Sequence, residues 1–149
     1  MAEAGAMGVL VEISKETREQ IGEIARDYRL RLMLLFGSAV TGKLHPGSDL
    51  DIAVMFRDAD AGRARIFDLI ADLESAFPER EVDLGLINGA DPLFLKKILE
   101  NCDLLYGEPR DLAELRMFAF KRYIDHRKYL KMEEEYIRRL LDKYCRGAA

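Results

Sequence analysis

The chain predicts an α/β (α+β) fold: a small mixed sheet flanked by helices, followed by a long C-terminal helical segment. Three observations carry that reading. Short apolar runs of strand length alternate with segments of helical period. Residues 41–48, between the first two runs, hold two Gly and a Pro, which is loop chemistry. From Asp111 to Tyr144 there is neither Pro nor Gly.

Residues 1–8 are small and poor in large apolar side chains, and read as a disordered end. Ser14 is placed to cap a helix over residues 15–28, where Ile21, Ile24, Ala25 and Tyr28 share a face. Leu30–Phe36 is almost continuously apolar and stops at Gly37, as a buried strand does. Leu50–Phe56 alternates and reads as a second strand. Residues 61–77 place Ile66, Leu69, Ile70, Leu73 and Phe77 at helical spacing before Pro78 stops them. Residues 81–87 make a third strand. Asn88 is read as the cap of a helix from Pro92 to Glu100, with Pro in the first turn where its missing donor does no harm. Residues 103–106 make a last short strand. Residues 111–145 then form one helix of about 50 Å, or two with a bend. Tyr123, Leu130, Ile137 and Tyr144 recur along it every seven residues as a packing stripe.

The 149 residues fit one domain, 1–149, and a chain of this length buries enough surface to need no disulfide or zinc scaffold. Hydrophobic residues make up 49% and charged residues 34%, which excludes disorder and argues for solubility. No apolar run approaches the roughly 20 residues that span a bilayer, and no signal-peptide pattern opens the chain, so a cytoplasmic protein is expected. Cys102 and Cys145 match no metal-ligand spacing. The net charge of −4 argues against a dedicated nucleic-acid binder, and no direct nucleic-acid contact is expected. That charge divides into −7 over residues 1–110 and +3 over residues 111–149, an acidic body with a basic tail.

The chemistry concentrates in Gly37-Ser38, ten further residues, and Asp49-Leu50-Asp51. Asp49 and Asp51 lie two apart at the start of a strand, so both carboxylates project to one face. Carboxylates held close repel unless a proton or cation intervenes, and hard oxygens suit a divalent ion that also recruits phosphate oxygens. Asp83 is polar among apolar neighbours in the third strand. Paired beside the second strand, it completes a three-carboxylate cluster. Gly37 permits close backbone approach, and the Ser38 hydroxyl with nearby amides suits phosphate. Phosphate donors facing a carboxylate–metal cluster are what nucleotidyl transfer requires.

This spacing reproduces the GSX10DXD signature and resembles the minimal nucleotidyltransferases of the DNA polymerase β superfamily. The resemblance extends to Val82-Asp83-Leu84, to residues 88–93, and to the long C-terminal helix with Tyr123, Asp125 and Tyr136. That helix is similar to those of the antitoxins paired with HEPN-domain toxins. The resemblance implies a nucleotidyltransferase fold with Gly37 and Ser38 on the triphosphate. It also implies Asp49 and Asp51 on Mg²⁺, with Asp83 completing the metal site and helping to deprotonate the acceptor. The implied reaction moves AMP from ATP to a Tyr hydroxyl of a HEPN-type RNase toxin, within a hetero-oligomer. One departure is Thr41, where relatives often carry Arg; Lys43 replaces that charge only in part. A binding-only antitoxin is the first rival reading. A small-molecule (antibiotic-type) nucleotidyltransferase is the second, though residues 111–149 leave little room for an acceptor domain. His45 reads as a plain loop residue, His126 as structural or interfacial, and Lys96-Lys97 as a solvated helix face.

Overall fold

A computed structural model describes residues 13–45 and 47–147; the end expected to be disordered, residues 1–8, lies outside the described residues. In chain order the elements are α1 (Lys15–Asp27), β1 (Leu30–Phe36), α2 (Ser38–Thr41), β2 (Leu50–Phe56), α3 (Ala59–Arg63), α4 (Ile66–Ala76), β3 (Val82–Leu86), α5 (Pro92–Glu100), β4 (Cys102–Tyr106) and α6 (Pro109–Gly147). The expected mixed sheet forms in the order β3-β2-β1-β4. β1 runs antiparallel to β2 and to β4, while β2 and β3 are parallel.

β1 is central, and every residue of it except Arg31 is buried. A strand covered on both faces has no polar side to alternate with, which explains its continuous apolar sequence. One face carries α1 and α4, with Ile21, Ile24, Leu69 and Leu73 over Met33, Leu35, Ile52 and Val54. The other carries α5 and the start of α6, with Leu95, Ile98, Leu112, Leu115 and Ala119 over Leu34, Phe36 and Ala53. Ser14 caps α1 as expected, its side chain accepting from the Thr17 amide. The Tyr28 hydroxyl donates to Asp72 Oδ2 at 2.6 Å and ties α1 to α4.

Local expectations change at the helix over residues 61–77 and at the cap of α5. The helix expected over residues 61–77 is two helices, broken at Ala64–Arg65. Gly62 of α3 sits against the Phe56 ring so closely that a Cβ there would lie 2.2 Å from it. The cap of α5 is Asp91, whose side chain accepts from the Leu93 and Phe94 amides at 3.0 Å. Asn88 instead extends the sheet, accepting from the Phe56 amide at 2.8 Å and donating to its carbonyl at 3.0 Å. The long segment is one helix of 39 residues. Of its stripe, Tyr123 is half-buried beside α5, whereas Leu130, Ile137 and Tyr144 are exposed. Among the described residues, no helix is long and apolar enough to cross a membrane.

Candidate active site

β1 turns into α2 through Gly37, whose backbone stands at φ +72°, a region that favours glycine. Space imposes the same choice independently. A Cβ at Gly37 would lie 2.2 Å from Asp51 Oδ2 and 3.1 Å from its Cγ. The main chain thus passes the carboxylate more closely than any side-chain-bearing residue permits. Ser38, half-buried, is the first residue of α2. The amides of Val40 and Thr41 bond back to the Gly37 carbonyl, each at 3.1 Å.

The strand register brings the carboxylates together. Asp51 lies opposite Phe36 on one side and opposite Asp83 on the other. Matched positions on neighbouring strands project to one face, so the expected adjacency of Asp51 and Asp83 is real. Asp49 lies just before the strand begins, in an exposed position, near enough for its charge to act on Asp51. The Asp51 carboxyl is held above the usual carboxylate range by its burial, then by the negative charge of Asp83, with Asp49 adding to it and Lys97 opposing. Crowded carboxylates without a counter-ion behave this way.

Among the described residues, no three His, Cys, Asp or Glu side chains stand close enough to form a ready-made metal cage. Asp51, Asp83 and the nearby Asp49 are instead a partial set of hard oxygen donors. Such a set fits a divalent ion that keeps several waters and draws its other ligands from substrate phosphates.

Arg80 is a site-supporting residue that the sequence did not single out. Its Nη1 donates to the carbonyls of His45 and Ser48, each at 3.1 Å, fastening the loop between the two halves of the motif. His45 also donates its amide to Ser48 Oγ at 3.1 Å. Nothing in sequence spacing points to Arg80, because its partners are main-chain atoms over thirty residues away. Thr41 ends α2 as an exposed neutral residue, with Lys43 exposed just beyond. A separate groove of about 540 Å³ lies at the opposite end of the sheet, floored by Met55, Ile87, Leu115 and Phe118, and includes none of these residues.

The polymerase β nucleotidyltransferase family model matches residues 19–111, more than half of the chain and all of the elements that build this site. The chain is 34% identical over 83 residues to the protein adenylyltransferase MntA of Shewanella oneidensis, a match covering 56% of this chain and 58% of that relative. The matched part therefore spans somewhat over half of that relative's length. A structure of a toxin–antitoxin complex with AMP-PNP contains a chain of the same fold, with a TM-score of 0.62, 31% identity, and coverage of 80% of this chain and 94% of that one. A structure of tri-AMPylated Shewanella oneidensis HEPN toxin with its MNT antitoxin matches at a TM-score of 0.55 and 27% identity, covering 83% and 93%. The fold, the motif that its register assembles, and these likenesses agree: this chain belongs to the polymerase β nucleotidyltransferase family, with its likeness there to the minimal, MntA type.

Proposed function

We propose that this chain is a protein adenylyltransferase that transfers AMP from ATP, with Mg²⁺, to a Tyr hydroxyl of a HEPN-type RNase toxin and so neutralises it. The observation that carries this reading is the closeness of Gly37 to Asp51, with Asp83 directly across the strand. It sets a phosphate-gripping turn against a carboxylate pair. The named relatives support it: one is an adenylyltransferase, and another was solved beside an AMPylated HEPN toxin.

In this reading Gly37 and Ser38 hold the triphosphate, and Asp49, Asp51 and Asp83 hold the metal. Bound there, the metal neutralises charge developing on the phosphates and the leaving pyrophosphate. Asp83 orients the acceptor hydroxyl and draws off its proton. A Tyr hydroxyl needs that help, since its unperturbed pKa is about 10. The hydroxyl oxygen bonds to the α-phosphorus as pyrophosphate leaves on the opposite side. The exposed apolar side chains of α6 support a protein partner rather than a small acceptor.

Neutral Thr41 favours one rival, in which the chain silences a toxin by contact alone. Co-expression with the neighbouring gene product and intact-mass measurement distinguishes the two. Whole AMP increments on the partner, absent with Asp51→Asn, establish transfer. A neutralised partner that never gains mass, with ATP and Mg²⁺ present, establishes shielding.

A further inference from the structure

We propose that Lys97 binds the phosphates of the nucleotide at this site, supplying from α5 the positive charge that the α2 turn lacks. The inference rests on the nucleotidyl-transfer reading above and adds a residue to it.

The path of α5 places Lys97 there. The helix starts beyond Asn88, which is bonded to Phe56 at the distal end of β2. It ends at Glu100, next to Cys102, which lies opposite Phe36 at the active end. Between them, Phe94 sits over Gly85, its Cζ 3.0 Å from where a Cβ would stand. It also meets Phe36 edge-on, with ring centroids 6.4 Å apart. Lys97 follows three residues later on the same side of the helix, about 4.5 Å nearer the active end. Asp83 lies two residues from Gly85 in the same direction, about 6.6 Å along β3. Lys97 therefore reaches the level of Asp83 and of its cross-strand partner Asp51. Its charge acts on Asp51, opposing the raised carboxyl pKa.

Lys96 serves elsewhere. It pairs with Glu100, and its ammonium lies 5.1 Å from the centre of the Tyr123 ring, on the α6 side. Among the described residues Lys97 has no carboxylate within ion-pair distance. An exposed cation at the level of Asp51 and Asp83, ion-paired to neither, is positioned for a ligand that enters between them. Once a divalent ion neutralises the carboxylates, the negative charge left facing Lys97 is phosphate. An ammonium on a flexible stem binds phosphate as a point charge. Thr41 offers no competing cation.

The test is calorimetric titration of the full chain with AMP-PNP and Mg²⁺, with thermal melting confirming that each variant is folded. Lys97→Ala and Lys97→Gln should each weaken binding by about tenfold or more, the loss of a charge-assisted phosphate contact. Lys97→Arg should retain most of the affinity, and Lys96→Ala all of it. Unchanged binding in both Lys97→Ala and Lys97→Gln, with Ser38→Ala weakened, overturns the role of Lys97 while leaving the site intact. Tighter binding in Lys97→Ala also overturns it, since the lysine then serves only as counter-ion to the carboxylates. Should Ser38→Ala bind as tightly as the unmodified chain too, the site assignment fails with it.

Discussion

The two ends of the sheet are built to opposite rules. At the distal end polar groups are matched: Asn88 closes both main-chain bonds of Phe56, and Tyr28 nearby donates to Asp72. At the active end Gly37 holds a positive φ against Asp51, and Asp51 is pressed by Asp83 and Asp49. One end matches its polar groups, and the other sets unbalanced charge against a turn that only glycine fits. Perturbed groups and constrained backbone concentrate where a ligand is to complete the arrangement.

The sharpest way to break this comparison is at Gly37. Gly37→Val should destabilise the fold by about 2–4 kcal/mol, combining overpacking against Asp51 with a side chain at positive φ. It should also abolish nucleotide binding. Denaturant midpoints and calorimetry read the two losses, and a stable variant that still binds nucleotide would contradict the geometry.

Asp51→Asn should separate function from stability. Transfer should vanish while the metal-free protein melts higher at neutral pH. The sign follows from linkage: a carboxyl whose folded pKa is raised loses native stability as pH climbs from its unfolded value through its folded one. That penalty is complete above both, and the amide removes it. A lower melting temperature at neutral pH would refute this account of the active end.

At the distal end the expectation reverses. Asn88→Ala should cost about 1–3 kcal/mol, because the main chain of buried Phe56 loses both partners. The nucleotide affinity of the folded fraction should be unchanged. The smallest effect is Tyr28→Phe, about 0.5–1.5 kcal/mol for one hydrogen bond. Burial and the Asp72 carboxylate push the Tyr28 hydroxyl up from 10.0 to about 12. Its contribution is therefore complete below pH 10 and is lost as pH rises through about 12. The stability gap between the unmodified chain and Tyr28→Phe should hold through neutral pH and close over that alkaline window.

Sequence legibility followed the range of the interaction. β1 was readable because a strand buried on both faces has a continuous apolar run, and α1 because Ser14 and the Ile21–Ile24–Ala25 face are local signals. The Gly37…Asp51 spacing was readable because the turn and the next strand are close in sequence. α2 was not, since four residues are too few to show a period. The break between α3 and α4 was hidden because the apolar residues of 61–77 keep helical spacing and only Pro78, beyond them, signals a stop. Asn88 and Asp91 are both competent caps; Asn88 was taken from that role by Phe56, a partner 32 residues away. Arg80 was hidden for the same reason. Lys96 and Lys97 are indistinguishable in sequence, and only the fold separates them, pairing Lys96 with Glu100 beside the Tyr123 ring and leaving Lys97 without an ion-paired carboxylate among the described residues.

The length of α6 governs how the chain ages. At about 1.5 Å per residue its 39 residues extend about 58 Å, against about 23 Å for the seven-residue strands. Its first turns are anchored through Leu112, Leu115 and Ala119. Beyond them Leu130 is 43% exposed and Tyr144 71%, and contacts such as Glu134–Arg138 at 3.7 Å add only tenths of a kcal/mol. Helical turns without tertiary packing open at far lower free energy than the core, so among the described residues amide exchange and proteolytic cutting are faster there than in the sheet. Covering this half slows both processes.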